Sequence, residues 1–151
     1  SMVLYFTGAS RSSAAIIDQQ KKNTSSGNEK AIEAMHRIKR SAIDMKFALL
    51  KGDMQEFARI LGEGWEDKKK MADAITNPMI QNVFDTAMSA GALAGKVSGA
   101  GGGGFVMLMV EPTRKKEVID ALNRLDGFVM PFQFTEGGAH GWRIYSTDKV
   151  K

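Results

Sequence analysis

The chain has 151 residues, 43% hydrophobic and 25% charged, which is the balance of one globular domain with room for a core. A net charge of +4 is mild, and the 21 basic residues lie among acids on predicted helix faces, so nucleic acid is not implied as a partner. With no cysteine, two histidines (His36 and His140), no apolar run of membrane-spanning length and no signal segment, disulfides and thiolate metal sites are excluded; no bound metal and no membrane partner are expected, and the cytoplasm is the default setting.

Met2 to Thr7 is apolar, β-branched and aromatic and reads as a buried strand. A strand beginning this early is also how a piece of a longer chain would start. Gly8 to Ser13 is a polar turn, and Ser12 or Ser13 is placed to cap a helix that starts at Ala14 and fades at Lys21-Lys22. This start has two readings, an oxyanion site built on hydroxyls and Arg11 or a serine-capped helix with a solvated arginine. Asn23 to Asn28 reads as a connector. From Glu29 to Lys51 the residues Ala31, Met35, Ile38, Ala42, Met45 and Leu49 recur at steps of four and three, one face of a long amphipathic helix and, by this reading, core. His36 beside the stripe is expected to be partly buried and structural.

Gly52 ends that helix and Asp53 caps the next, whose apolar face is Met54, Phe57, Ala58, Leu61 and Trp65. Gly62 and Gly64 are expected to weaken it ahead of the charged run Glu66 to Lys70, which reads as a solvated face without function. Asn77-Pro78 marks a further helix start. Ile80, Val83, Phe84, Ala87, Gly91 and Ala94 continue on one side, so this helix is expected to run directly into the glycine-rich stretch that follows. Gly104 to Val110 is a central strand, Thr113 caps a short helix bearing Val118, Ile119, Leu122 and Leu125, and Phe128 to Phe134 is a strand made an edge by Pro131. Trp142 to Tyr145 reads as a last strand. The expected fold is α+β: a small, mainly antiparallel four-stranded sheet packed with about five helices.

The chain is organised around Lys96-Val97-Ser98-Gly99-Ala100-Gly101-Gly102-Gly103-Gly104-Phe105. Glycine permits positive φ and close approach, and successive amides can converge into an anion-binding nest. The plainer alternative is a tight helix-to-strand connection, although one or two glycines would suffice for that. The match to Gly-x-Gly-x-x-Gly at Gly99, Gly101 and Gly104 lacks the strand-then-helix context of a dinucleotide site, and Val97 after Lys96 rules out a Walker A loop. Lys96 has two readings, a cation facing phosphates or a cation at a helix C-terminus that favours the macrodipole.

This glycine stretch resembles the third conserved motif of the GHMP kinases, the family of galactokinase, homoserine kinase, mevalonate kinase and phosphomevalonate kinase. The order of elements is similar to that family's C-terminal domain, so the resemblance covers residues 1–151. Leu4-Tyr5-Phe6-Thr7-Gly8-x-Ser10-Arg11-Ser12-Ser13 and the tail Gly137-Gly138-Ala139-His140-Gly141-Trp142 resemble the branch acting on D-glycero-D-manno-heptose 7-phosphate.

The resemblance implies transfer of the γ-phosphoryl group of ATP to the anomeric hydroxyl of that sugar, for nucleotide-activated heptose and surface polysaccharide. It further implies that Lys96, Ser98, Gly99, Ala100, Gly101, Gly102 and Gly103 lie against the ATP phosphate loop and the transferred group. Ser10, Arg11 and Ser12 would hold the sugar phosphate, with Trp142 and His140 either lining the sugar site or serving the core and edge. ATP, Mg2+, the ATP-binding loop and the catalytic aspartate then belong with an N-terminal domain. The chain is expected to be inactive alone and to bind no cofactor tightly. Other expectations are a fucokinase- or galactokinase-like sugar 1-kinase, a non-catalytic regulatory module of the same fold, and a helical adaptor that would leave the glycines unexplained.

Overall fold

The computed structural model describes residues 2–9 and 12–142. Its elements in order are β1 (Met2–Phe6), α1 (Ser13–Ser25), α2 (Glu29–Leu50), α3 (Met54–Lys69), α4 (Pro78–Ser89), β2 (Ala92–Val97), β3 (Phe105–Val110), α5 (Lys115–Leu122) and β4 (Phe128–Met130). Short 3-10 turns at Asp73–Ile75 and Pro112–Arg114 precede α4 and α5. The four strands are all antiparallel in the order β2-β3-β1-β4. Helices therefore cross over between β1 and β2 and between β3 and β4; β3 and β1 are the central pair, and β2 joins β3 as a hairpin at one edge.

Strand alternation divides the sheet into two faces. Val3 and Tyr5 of β1 stand opposite Leu108 and Val106 of β3, and all four are buried against α4 and α5 through Ile80, Val83, Val118 and Leu122. Each fully buried Leu or Val here is worth about 1.5–3 kcal/mol over leaving it in water. On the opposite face Met109 and Ala94 meet Ala58 and Leu61 of α3, with Met2, Met45 and Phe57 around them. α3 thus wraps the β2 edge and reaches both faces. Trp65 of α3 stacks on Phe84 of α4 at 5.4 Å, nearly parallel.

Three helix starts follow sequence rules. Asn28, Asp53 and Asn77 each accept a backbone N–H three residues on, from Ala31, Glu56 and Ile80, a cap worth about 1 kcal/mol. Ser12 occupies the N-cap position of α1 without a side-chain bond. The buried Asp67 carboxylate ties α3 to α2, accepting from Arg37 at 2.8 Å and from Lys70 at 2.8 Å.

Several expectations are corrected. The predicted helix into the glycine stretch stops at Ser89, and the chain turns at Gly91, φ +106°, to enter β2. The small residues read as a tapering helix are a strand pressed between helices. A Cβ at Gly95 would stand 3.2 Å from the Phe84 ring, and one at Gly62 would stand 3.4 Å from Ala94. Asn23, Thr24 and Ser25 continue α1 instead of forming a connector, Gly62 and Gly64 lie within α3, and α5 starts at Lys115 without a Thr113 side-chain cap. The α2 stripe is not all core: Ala31 is buried, Ile38 and Met45 are half-buried, and Met35, Ala42 and Leu49 are exposed, as is His36. β4 ends at Met130, before Pro131, at the sheet edge. Of the predicted last strand, Trp142 is in no strand and is exposed, and residues 143–145 lie outside the described residues. No helix is long and apolar enough to cross a membrane among the described residues.

Candidate functional site at the glycine loop

Residues 98–104 join β2 to β3, so the glycine stretch is a strand-to-strand loop. The same end of the sheet holds the exit of β1, because Phe6 pairs with Phe105. Three bonds fasten that exit to the loop. Thr7 N donates to the Gly104 carbonyl at 2.9 Å, and Gly104 N donates to the Ala9 carbonyl at 2.7 Å and lies 3.1 Å from Thr7 Oγ1. The two segments singled out in the sequence, the glycine stretch and the polar turn after β1, therefore meet through Ala9. Ser12 is exposed at the start of α1. Ser10 and Arg11 lie outside the described residues.

The loop is held from below as well as from the side. Gly102 N donates to the Ile75 carbonyl at 2.8 Å, and Asn77 Nδ2 donates to the Gly102 carbonyl at 3.1 Å. Asn77 thus caps α4 with its oxygen and holds the loop with its nitrogen. Gln20 Nε2 reaches the Ala100 carbonyl at 3.5 Å. Gly101, Gly102 and Gly103 are buried, whereas Ser98 and Gly99 are exposed and Ala100 is half-buried.

The amides of Ser98, Gly102 and Gly104 are engaged by the carbonyls of Phe105, Ile75 and Ala9. The Gly102 amide is thus engaged within the protein's own backbone. Among the described residues the amides of Gly99, Ala100, Gly101 and Gly103 have no hydrogen-bond acceptor.

Lys96 lies on β2, opposite Met107, and not at a helix end. The macrodipole reading of Lys96 falls with the helix that required it. Beside it stands Lys68, a residue the sequence reading left in a solvated run. Its ammonium donates to the Gly99 carbonyl at 2.5 Å. Burial, and then the Lys96 charge, hold the Lys68 pKa below its usual value. Lys68, Lys96 and Ser41 are the polar margin of a cavity of about 370 Å³ whose walls include Trp65, Ile38 and Met107. Sequence spacing gave one clue to Lys68: it follows the core residue Trp65 by three positions on a helix, so both fall on the packed side of α3.

Residues 45–126 match the family described as GHMP kinases C terminal. The chain belongs to the GHMP kinase family. Among GHMP relatives, it is 44% identical over 142 residues to the D-glycero-alpha-D-manno-heptose 7-phosphate kinase of Campylobacter jejuni subsp. jejuni serotype O:2, covering 94% of this chain and 41% of that protein. It is 56% identical to a solved D-glycero-D-manno-heptose 1-phosphate kinase of Bacteroides thetaiotaomicron, with a TM-score of 0.63 over 97% of this chain and 36% of the other. A mevalonate kinase of L. major solved with R-mevalonate shares the fold, at TM-score 0.74 and 19% identity, over 82% of this chain and 37% of the other. The chain spans about two fifths of the curated relative's length. The expected α+β GHMP C-terminal fold is thereby established, with β2 as a strand that the sequence reading had placed in a helix.

Proposed function

We propose that this chain is the C-terminal domain, residues 1–151, of an ATP-dependent sugar kinase that phosphorylates the anomeric hydroxyl of D-glycero-D-manno-heptose 7-phosphate, in the cytoplasm, on the way to nucleotide-activated heptose for lipopolysaccharide. The observation that carries this reading is the buried glycine loop joined through Ala9 to the turn after β1, in a chain 44% identical to a relative named as a kinase of that sugar phosphate. Phosphoryl transfer depends on positioning and on stabilising charge at the equatorial oxygens. In this reading the rim of the loop, the exposed Ser98 and Gly99 and the half-buried Ala100, faces the phosphates with Lys96, and Gly101 to Gly103 hold that rim in place. Ser10, Arg11 and Ser12 grip the acceptor's own phosphate, a role suited to the bidentate guanidinium.

The ATP-binding loop and the catalytic aspartate belong to an N-terminal domain in this reading. Mg2+ belongs there too in this reading, held by one or two carboxylates together with the ATP phosphates. The 151-residue chain alone is expected to consume no ATP.

The test is ADP release and 31P NMR on the full-length protein with heptose 7-phosphate, fucose and galactose offered in parallel. A new anomeric phosphate on the heptose, with the other sugars at least tenfold slower (about 1.4 kcal/mol of discrimination), is the expected result. Preference for fucose or galactose moves the protein to another sugar 1-kinase branch. Turnover of none of them points to a non-catalytic module.

A further inference from the structure

Three lysines stand in a row at the end of α3, and they behave differently. Lys69 pairs with Glu66 at 2.6 Å and Lys70 with Asp67 at 2.8 Å, each one turn back on the same helix. Lys68 takes no acid. It crosses to the glycine loop, 31 positions along the chain, and donates to the Gly99 carbonyl. Lys96 comes up beside it from β2, and both line the same cavity. Among the described residues neither lysine has a carboxylate within ion-pair distance.

Two ammonium groups held together without a counter-ion repel each other, and half-burial makes each charge costlier still. The drop in the Lys68 pKa is the mark of that cost. The helix sets this difference: one turn back from Lys69 and Lys70 stand Glu66 and Asp67, whereas one turn back from Lys68 stands Trp65, so Lys68 lies on the packed side of α3 and faces the loop without an acid. One of its three N–H donors is used on Gly99, which leaves two, and Lys96 supplies three more. Next to them the amides of Gly99 and Ala100 have no acceptor among the described residues. The two ammonium groups thus stand at one margin of a mainly apolar cavity, and the Lys68 bond to the Gly99 carbonyl joins that margin to the glycine loop.

We propose that Lys68 and Lys96 form a two-lysine seat for a phosphoryl group at the rim of the glycine loop. The seat holds a phosphate of one of the enzyme's substrates and contributes binding charge, with no proton transfer of its own. The anion's identity rests on the kinase reading above; the seat's existence rests on the geometry. A nucleotide phosphate and the acceptor's phosphate have the same chemistry here, and kinetics separate them.

The first experiment uses the full-length protein and the variants Lys68→Met, Lys96→Met and Lys68→Arg, with KM measured for ATP and for heptose 7-phosphate. Either lysine-to-methionine change is expected to raise one of the two KM values about 10- to 100-fold, the scale of a charge-assisted hydrogen bond. Lys68→Arg is expected to restore most of that loss. The KM that moves names the substrate whose phosphate is seated. Both KM values unchanged in both methionine variants, even with a lower kcat, would overturn the seat.

The second experiment needs no turnover. Lysine acetylation is followed by mass spectrometry with and without inorganic phosphate. Lys68 and Lys96 are expected to be protected, while Lys116, exposed on α5 beside Asp120, reacts equally in both. Protection without kinase activity would remove the kinase reading and keep the seat. Activity without protection and without a KM change would remove the seat and keep the kinase reading.

Discussion

The Ile75 carbonyl accepts the Gly102 amide at 2.8 Å, and a Cβ on the preceding Gly101 would stand 2.7 Å from that same oxygen. Gly101 also sits at φ +107°, where side chains are strained. The glycine at this position is therefore required first by the protein's own backbone. Gly101→Val is expected to lower stability by at least ~1–3 kcal/mol, the cost of a residue held in a sparsely populated conformation, in addition to any loss of activity. Urea unfolding of the chain measures it. A variant of unchanged stability would show that the loop can move off Ile75.

This relationship also separates what the sequence disclosed from what it hid. Elements built on strong side-chain patterns were legible: β1, α2, α3, β3 and the capped starts at Asn28, Asp53 and Asn77 follow period and cap rules. β2 was hidden because Ala92, Ala94 and Gly95 have low strand propensity and continue the apolar spacing of α4. Gly95 is kept small first by Leu108 and the Met107 carbonyl of β3 and then by Phe84 of α4, and Ala94 lies against α3, tertiary causes that no local window contains. The stop after α4 was visible at Gly91. In the site, four glycines announced the loop but not its partners. Ile75, Ala9, Asn77 and Lys68 reach it across 25 to 95 positions of chain, counting from Gly102 to Asn77 and from Gly104 to Ala9.

Asp67 makes the α2–α3 contact depend on pH. Burial pushes its carboxyl up, but the hydrogen bonds from Lys70 and Arg37 outweigh that and hold it below its ordinary value of 3.8. A carboxyl depressed on folding stabilises the protein above its unfolded pKa, and that contribution is lost as pH falls through the folded pKa. Asp67→Asn is expected to cost about 1–3 kcal/mol at neutral pH, and the gap from the parent should narrow below about pH 4. Denaturant midpoints for both proteins across acidic pH give the comparison. A gap of constant size down to strong acid would show that shape, and not charge, makes the contact.

Thr76 Oγ1 is buried with no hydrogen-bond partner among the described residues, one position from the Ile75 carbonyl that holds the loop. A buried hydroxyl without a partner is a cost that an isosteric methyl removes. Thr76→Val is expected to raise the stability of the chain by about 1 kcal/mol, read as a higher melting temperature. A fall of similar size would mean that the hydroxyl is satisfied in solution.

Gly127 shares a buried junction with Tyr5. Its amide donates to the Tyr5 hydroxyl at 2.8 Å, while the Tyr5 side chain is only 1% exposed at the centre of the sheet. Burial raises the Tyr5 pKa, and the bond from the Gly127 amide works against that rise. A Cβ at Gly127 would collide with the Phe6 carbonyl and the Tyr5 hydroxyl together. Neither can yield, since Phe6 is paired on both sides in β1 and Tyr5 is packed in the core. Tyr5→Phe leaves the Gly127 amide without its acceptor and is expected to cost about 1–2 kcal/mol. Gly127→Ala forces β1 and β4 apart and is expected to cost more than Tyr5→Phe does. Thermal unfolding of the two variants side by side decides it: an alanine variant as stable as the phenylalanine one would mean that the turn before β4 adjusts freely, and that the close approach to Phe6 is not a constraint on the fold.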